Sequence, residues 1–93
     1  MLSLKESTQF RRDLKRELRN PDNKDLVFLL SKVLDFLQNQ LRLPEKYQVH
    51  QLKGRYIGYL ECHLKPDLLL IYRSKDGGVL ELVRLGSHSD LFR

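Results

Sequence analysis

Tyr59-Leu60-Glu61-Cys62-His63-Leu64-Lys65-Pro66-Asp67-Leu68-Leu69-Leu70-Ile71-Tyr72 is the stretch that decides how this chain folds. In its first half, apolar Leu60, Cys62 and Leu64 alternate with Tyr59, Glu61 and His63. Successive side chains of a strand point to opposite faces, so this period of two predicts a strand over 57–64 with one buried face. In its second half, Leu68 to Tyr72 are apolar without interruption, the pattern of a central strand covered on both faces. Lys65-Pro66 is the turn between them. Downstream, Lys75-Asp76-Gly77-Gly78 has the composition of a hairpin turn, and Val79 to Leu85 reads as the returning strand.

This topology gathers titratable groups. Strand 57–64 runs up to the Lys65-Pro66 turn, strand 68–73 runs away from it, and strand 79–85 comes back. His63, Asp67 and Arg84 therefore fall at one edge of the sheet, and His88 emerges just past it. With neighbouring strands about 4.8 Å apart, the group fits within about 10–15 Å. The faces stay open at this level, because a register slip of one residue moves Arg84 to the side opposite His63. His50 is not placed by the topology.

Toward the N-terminus the period becomes helical. Met1 to Leu4 carries a weak strand signal. From Ser7, Phe10, Leu14 and Leu18 recur every four residues as one apolar stripe, with Arg11, Arg12, Lys15, Arg16 and Arg19 opposite. Asn20-Pro21 ends this helix, and Asp22 is positioned to cap a second one running to about Gln40. Leu26, Leu29, Leu30, Val33, Leu34, Leu37 and Leu41 give that helix a wide apolar face, so the two helices are expected to form an antiparallel hairpin on the sheet. Pro44 leads the chain out of the helices, and Gly54 and Gly58 are placed to bend the entry to the first long strand.

Ninety-three residues at 41% hydrophobic composition make one domain, 1–93, with one core. A formal charge of +5 favours polyanionic partners such as nucleic acid or an acidic protein. One cysteine, Cys62, excludes an intramolecular disulfide and argues against a cysteine-based zinc site. Leu68 to Tyr72 is too short to span a bilayer and the N-terminus lacks an apolar signal segment, so a soluble protein of a reducing cytoplasm is expected, with no membrane partner.

In order along the chain, Leu52-Lys53-Gly54, Gly58-Tyr59, His63, Pro66-Asp67, Leu70-Ile71-Tyr72, Arg84-Leu85-Gly86-Ser87-His88 and Leu91-Phe92 form an ordered set. With Phe10 and Asp13-Leu14-Lys15, it resembles the YafQ branch of the RelE-like toxins, the toxin halves of bacterial type II toxin–antitoxin pairs. The resemblance covers nearly the whole chain. It implies an α+β, RelE-like fold: two N-terminal helices packed on a curved, mainly antiparallel sheet. It implies an mRNA interferase acting in the ribosomal A site, held inactive by a cognate antitoxin and reaching operator DNA only through that complex. It also implies that His50, His63, Asp67, Arg84, His88 and Phe92 are the functional set. Three positions depart from the branch pattern: Tyr56 where tryptophan is usual, Ile57 where a basic residue is common, and Leu60 where an arginine precedes the acidic residue. Contacts to the RNA or ribosome backbone are expected to be weaker or rearranged there.

Those residue types suit the chemistry. Metal-independent RNA cleavage uses the substrate's 2′-hydroxyl to attack the adjacent phosphate, and the enzyme must remove one proton and deliver another. Histidine titrates near pH 6.5 and serves both transfers. Arginine stays charged and its planar fork holds two phosphate oxygens. His88 is expected as one proton-transfer partner, with His50, His63 and Asp67 supplying or orienting the other, or Asp67 itself acting as base. Phe92 is expected to stack on a splayed base. Lys53, Arg55, Arg11, Arg12, Lys15 and Arg16 are the candidate RNA-backbone contacts. No metal and no cofactor are expected: imidazole is a common ligand, but neither His-x-x-x-His nor Cys-x-x-Cys spacing is present.

Each residue also has a plainer explanation. A histidine at a strand end is usually solvated surface. Asp67 after proline suits a turn. Arg84 suits a cross-strand pair with Glu61 or Glu81. Phe92 suits core closure beside Leu91. The basic helix face suits a solubilising surface, with Asp13 and Glu17 interleaved. Two other functions compete with the nuclease. A catalytically inactive antitoxin- or nucleic-acid-binding module would tolerate loss of Arg84 or His88. A basic RNA-binding protein would depend on first-helix arginines more than on histidines.

Overall fold

The computed structural model describes residues 1–92, so Arg93, the end of the domain read from the sequence, lies outside the described residues. In chain order the elements are β1 (Ser3–Glu6), α1 (Thr8–Leu18), α2 (Leu26–Gln38), β2 (His50–Gln51), β3 (Leu60–Lys65), β4 (Leu68–Lys75), β5 (Val79–Gly86) and α3 (His88–Leu91). Short 3-10 turns lie at Pro21–Asn23, Glu45–Tyr47 and Gly54–Tyr56. The sheet order is β1-β5-β4-β3-β2. β1 runs parallel to β5 and the remaining neighbours are antiparallel. This is the expected α+β architecture, with helices on a mainly antiparallel sheet.

Apolar positions explain the layers. Leu68, Leu70 and Tyr72 of β4 face one core with Phe10, Leu26, Leu30, Val33, Leu80, Leu82 and Leu85. Leu69 and Ile71 face a second, smaller core closed by Leu91 and flanked by Leu52, Tyr56, Tyr59 and Val83. The unbroken apolar run of β4 thus packs on both sides, as its pattern predicts.

Several boundaries differ from the sequence expectations. Asp22 does not cap α2: Asn20 Oδ1 accepts the Asp22 N–H at 3.0 Å and starts the 3-10 turn, so α2 begins at Leu26. It ends at Gln38, because Gln40 adopts φ 57°, a left-handed conformation that cannot continue a helix. β3 starts at Leu60 instead of 57, because Ile57 closes a turn on Gly54 O and Gly58 takes φ 90°.

The larger correction concerns α1. Its buried residues are Phe10, Asp13 and Glu17, whereas Leu14 is only partly buried and Leu18 is 48% exposed. At 100° per residue, Leu18 lies about 80° from Phe10 around the helix and Glu17 only about 20°. The inward stripe therefore carries carboxylates. Glu17 is met by Arg16 and Asn23, and Asp13 is needed there because α1 covers the edge of β5 beyond the end of β1. Ser7 N–H and Oγ–H donate to Leu82 O and Val83 O at 3.0 and 2.7 Å. Asp13 accepts the Leu85 N–H at 3.0 Å, and Arg16 donates to Leu85 O at 2.9 Å. A strand edge buried without such partners would leave backbone groups unpaired.

A bulge interrupts the β4–β5 ladder. Ile71 opposes Arg84 while the next residue, Tyr72, opposes Leu82, so Val83 is the extra residue. Leu80 and Leu82 lie in the helix-side core, and unbroken alternation would send Arg84 there too. The bulge turns it to the other face.

Candidate active site

Residues opposed across a sheet share a face. His50 opposes Glu61, Glu61 opposes Ile71 and Ile71 opposes Arg84, which makes one row across four strands. His63, Leu69 and Gly86 make a second row of the same kind. The face that packs Leu69 and Ile71 is therefore the face that carries His50, Glu61, His63 and Arg84.

His88 enters from α3. Ser87 Oγ accepts the Asp90 N–H at 3.2 Å and Asp90 Oδ2 accepts the Ser87 N–H at 3.3 Å, a capping box that sets the direction of this short helix. Gly86, just before it, lets Arg16 pack close: a Cβ there would lie 2.7 Å from Arg16 Nη2, which would have to move aside, and 3.2 Å from Asp90 Cβ. Asp67 Oδ1 accepts both the backbone N–H of His88, at 2.9 Å, and its Nδ1–H, at 2.7 Å. These two donors hold the Asp67 carboxyl below the usual carboxylate range. They also orient the His88 ring with Nε2 turned away from Asp67.

Glu61 is 2% exposed, and its Oε1 lies 3.2 Å from His63 Nε2 and 3.4 Å from His50 Nε2. His50 Nδ1 is also 3.0 Å from Gln48 O, so both ring nitrogens of His50 face acceptors. Ring centroids are 6.2 Å apart for His50 and His63, 5.8 Å for His63 and His88, and 6.4 Å for His88 and Phe92. The three histidines and Phe92 thus form one continuous row. Phe92 is 42% exposed, while Leu91 is fully buried, so Leu91 and not Phe92 closes the core.

Arg84 is held by Asp13, with Nε to Oδ2 at 2.7 Å and Nη2 to Oδ1 at 3.2 Å. This pair raises the Arg84 pKa further above its ordinary value. The plainer pairing with Glu61 or Glu81 does not form: Glu61 takes the histidines and Glu81 takes Arg73 and Lys75. Arg16 donates to the same Asp13 at 2.9 Å and to Glu17 at 2.9 Å, so it braces α1 against α3 and β5. Arg55 donates to Leu91 O at 3.3 Å. Arg11, Arg12, Lys15 and Lys53 are exposed. Burial pushes the Cys62 thiol up to about 12, which removes it as a nucleophile.

Among the described residues, the set able to present three donors to one metal is His50, Glu61 and His63, whose ligand atoms lie within 4.8 Å of one another. His88 and Asp67 are not part of it.

Residues 2–93 match the family described as the bacterial toxin of type II toxin-antitoxin systems, YafQ. The chain belongs to the YafQ family. It is 36% identical over 87 residues to the mRNA interferase toxin YafQ of Escherichia coli K12, covering 92% of this chain and 90% of that one. A metal-bound toxin from Helicobacter pylori superposes with a TM-score of 0.85 at 48% identity, covering 99% and 100% of the two chains. The toxin of the Escherichia coli DinJ-YafQ toxin-antitoxin complex superposes with a TM-score of 0.83 at 33% identity, covering 99% and 98%.

In this YafQ-family chain the sequence candidates His50, His63, Asp67, Arg84 and His88 come together on or beside one sheet face. Two residues of that site are absent from the sequence candidates, Glu61 and Asp13. Glu61 looked like the polar half of an alternating strand, and its signal was its placement two residues before His63. Asp13 looked like a solvated helix residue; its three-residue spacing from Phe10 was the available signal.

Proposed function

We propose that this toxin is an endoribonuclease that cuts mRNA in the ribosomal A site, by attack of the 2′-hydroxyl on the adjacent phosphate and without a metal. The supporting observation is the 5.8 Å separation between the His63 and His88 rings, each backed by its own carboxylate. Two proton-transfer groups side by side on one face, able to serve the two oxygens flanking a bound phosphate, are what this reaction requires.

The carboxylates divide the roles. Asp67 is engaged by two N–H groups of His88, so its part is to orient that ring, and His88 Nε2 delivers the proton to the leaving 5′-oxygen. On the other side, Glu61 with His63 takes the proton from the 2′-hydroxyl. His50 lies between Gln48 O and Glu61 Oε1, so its part is to position the Glu61 carboxylate. Attack gives a 2′,3′-cyclic phosphate and a free 5′-hydroxyl. Arg84 neutralises the phosphate as charge builds on it. Phe92 stacks on a base beside the cut, and Lys53, Arg55, Arg11, Arg12 and Lys15 contact the backbone. A binding module needs neither an oriented His88 nor a tethered Arg84.

A cognate antitoxin partners the chain, as DinJ does the YafQ of the Escherichia coli complex. The site of action is the bacterial cytoplasm, and among the described residues no helix is long and apolar enough to cross a membrane. The deciding experiment is inducible expression of wild type and His88→Ala with mapping of message 5′ ends. New in-frame cuts that vanish in the folded variant support the nuclease; normal growth with no cuts, from soluble toxin free of antitoxin, overturns it.

A further inference from the structure

Tyr56 stands where the phosphate-binding and base-binding parts of the site meet. Arg84 Nη1 donates to the Tyr56 hydroxyl at 3.4 Å. The Tyr56 ring meets Phe92 edge-on, with centroids 6.0 Å apart and planes at 88°. It meets Tyr59 in the same way, at 6.0 Å and 88°. The face of Tyr59 is covered by Arg73, 4.6 Å from its centroid, whereas Phe92 is 42% exposed and stands at a right angle to Tyr56. Arg55 lies 5.1 Å from the Tyr56 centroid and donates to Leu91 O, so the 54–56 turn and the segment bearing His88 and Phe92 are tied together.

The guanidinium arithmetic points the same way. Arginine has five N–H bonds. Asp13 engages Nε and one on Nη2, and Tyr56 engages one on Nη1. One N–H on each terminal nitrogen remains, the pair that a phosphate takes side by side. Asp13 grips one side of the fork and Tyr56 sets its free end.

We propose that Tyr56 is a positioning and specificity-determining residue: its hydroxyl holds Arg84 toward the scissile phosphate, and its ring forms with Phe92 a right-angled notch for the neighbouring base. A base stacked on Phe92 presents its edge to Tyr56, where purine and pyrimidine differ in reach. This rests on the nuclease reading above and adds to it the residue that couples base recognition to phosphate binding.

The test compares wild type, Tyr56→Phe, Tyr56→Leu and Tyr56→Ala on ribosomes programmed with messages carrying either a normal or an abasic nucleotide next to the cut. Tyr56→Phe removes only the hydroxyl and is expected to lower kcat about 3–10-fold with little change in KM or melting temperature. Tyr56→Ala is expected to raise KM by up to about 5–100-fold, the worth of one stacked base, because the base loses the wall that keeps it stacked on Phe92. The abasic message should cost wild type a similar factor and cost Tyr56→Ala little more. Equal, additive penalties in both proteins would overturn the notch, and an unchanged kcat in Tyr56→Phe would overturn the hydroxyl role. Tyr56→Leu, which keeps the apolar bulk, gives the same comparison should Tyr56→Ala not fold. Folded wild type that cuts neither message overturns the nuclease reading itself, an outcome distinct from the variant results.

Discussion

His88 and Asp67 meet twice through one atom: Asp67 Oδ1 accepts the His88 backbone N–H at 2.9 Å and its ring Nδ1–H at 2.7 Å. Both side chains are exposed, at 55% and 65%, so the pair contributes orientation far more than stability. His88→Ala should lower cleavage about 10²–10⁴-fold, the usual worth of a positioned acid. Asp67→Asn should fall short of that loss, because the amide oxygen still accepts the backbone N–H. Both variants should melt within a degree or two of wild type. Cleavage by folded His88→Ala near the wild-type rate would remove it from the chemistry.

Glu61 places a buried carboxylate between two imidazoles. Glu61→Gln keeps the shape and loses the proton acceptor, so cleavage should fall steeply while the fold persists. Glu61→Ala leaves His50 and His63 without their shared partner and should cost about 1–3 kcal/mol of stability as well. Paired denaturant melts and cleavage rates separate these effects. Equal activity in Glu61→Gln and wild type would reassign the base.

Asp13 holds Arg84, Arg16 and the Leu85 N–H at once, and it is 3% exposed. Asp13→Ala strands those donors and should destabilise the toxin by about 3–5 kcal/mol. A loss below about 1 kcal/mol in urea melts would show that the cluster is replaceable by water.

Acid stability follows from carboxylates held below their ordinary range, chiefly the half-buried Glu81, because solvent screens the exposed Asp67 and Asp25 pairs. His88 lowers Asp67; Lys65 lowers Asp25; burial opposes the shift of Glu81, and Arg73 and Lys75 outweigh it. A depressed folded value stabilises the native state above the unfolded pKa, about 4, and that contribution is lost as pH falls through the folded value. The melting temperature should therefore decline as pH falls below about 4. Glu81→Gln should make the decline shallower, and an unchanged curve would count against the assigned pairs.

Chelators should leave cleavage intact, since every step is assigned to side chains. Added copper(II) or zinc(II) should inhibit, because the metal would occupy the ring nitrogens and carboxylate of His50, Glu61 and His63. Loss of activity on EDTA treatment, restored by metal, would overturn the metal-independent mechanism.

The long strands and the turn between them were readable because β4 is apolar on both faces and Gly77 and Gly78 adopt φ 87° and 75° in the hairpin. His63, Asp67, Arg84 and His88 were placed together for a topological reason that any antiparallel meander obeys. The inward face of α1 was misread because the apolar count ignored carboxylates, and Asp13 and Glu17 are buried only because arginines, Asn23 and a strand edge meet them.

The sequence by itself determined the two N-terminal helices, the order of the three long strands, the two-sided β4 and the set of groups gathered at one sheet edge, all consequences of local period and chain direction, while the short β2 and α3 carry no such period. Tertiary structure alone decided which face Arg84 takes. The bulge at Val83 makes that choice, because one unpaired residue reverses the alternation that a regular strand would impose, and it forms where α1 seizes the edge of β5.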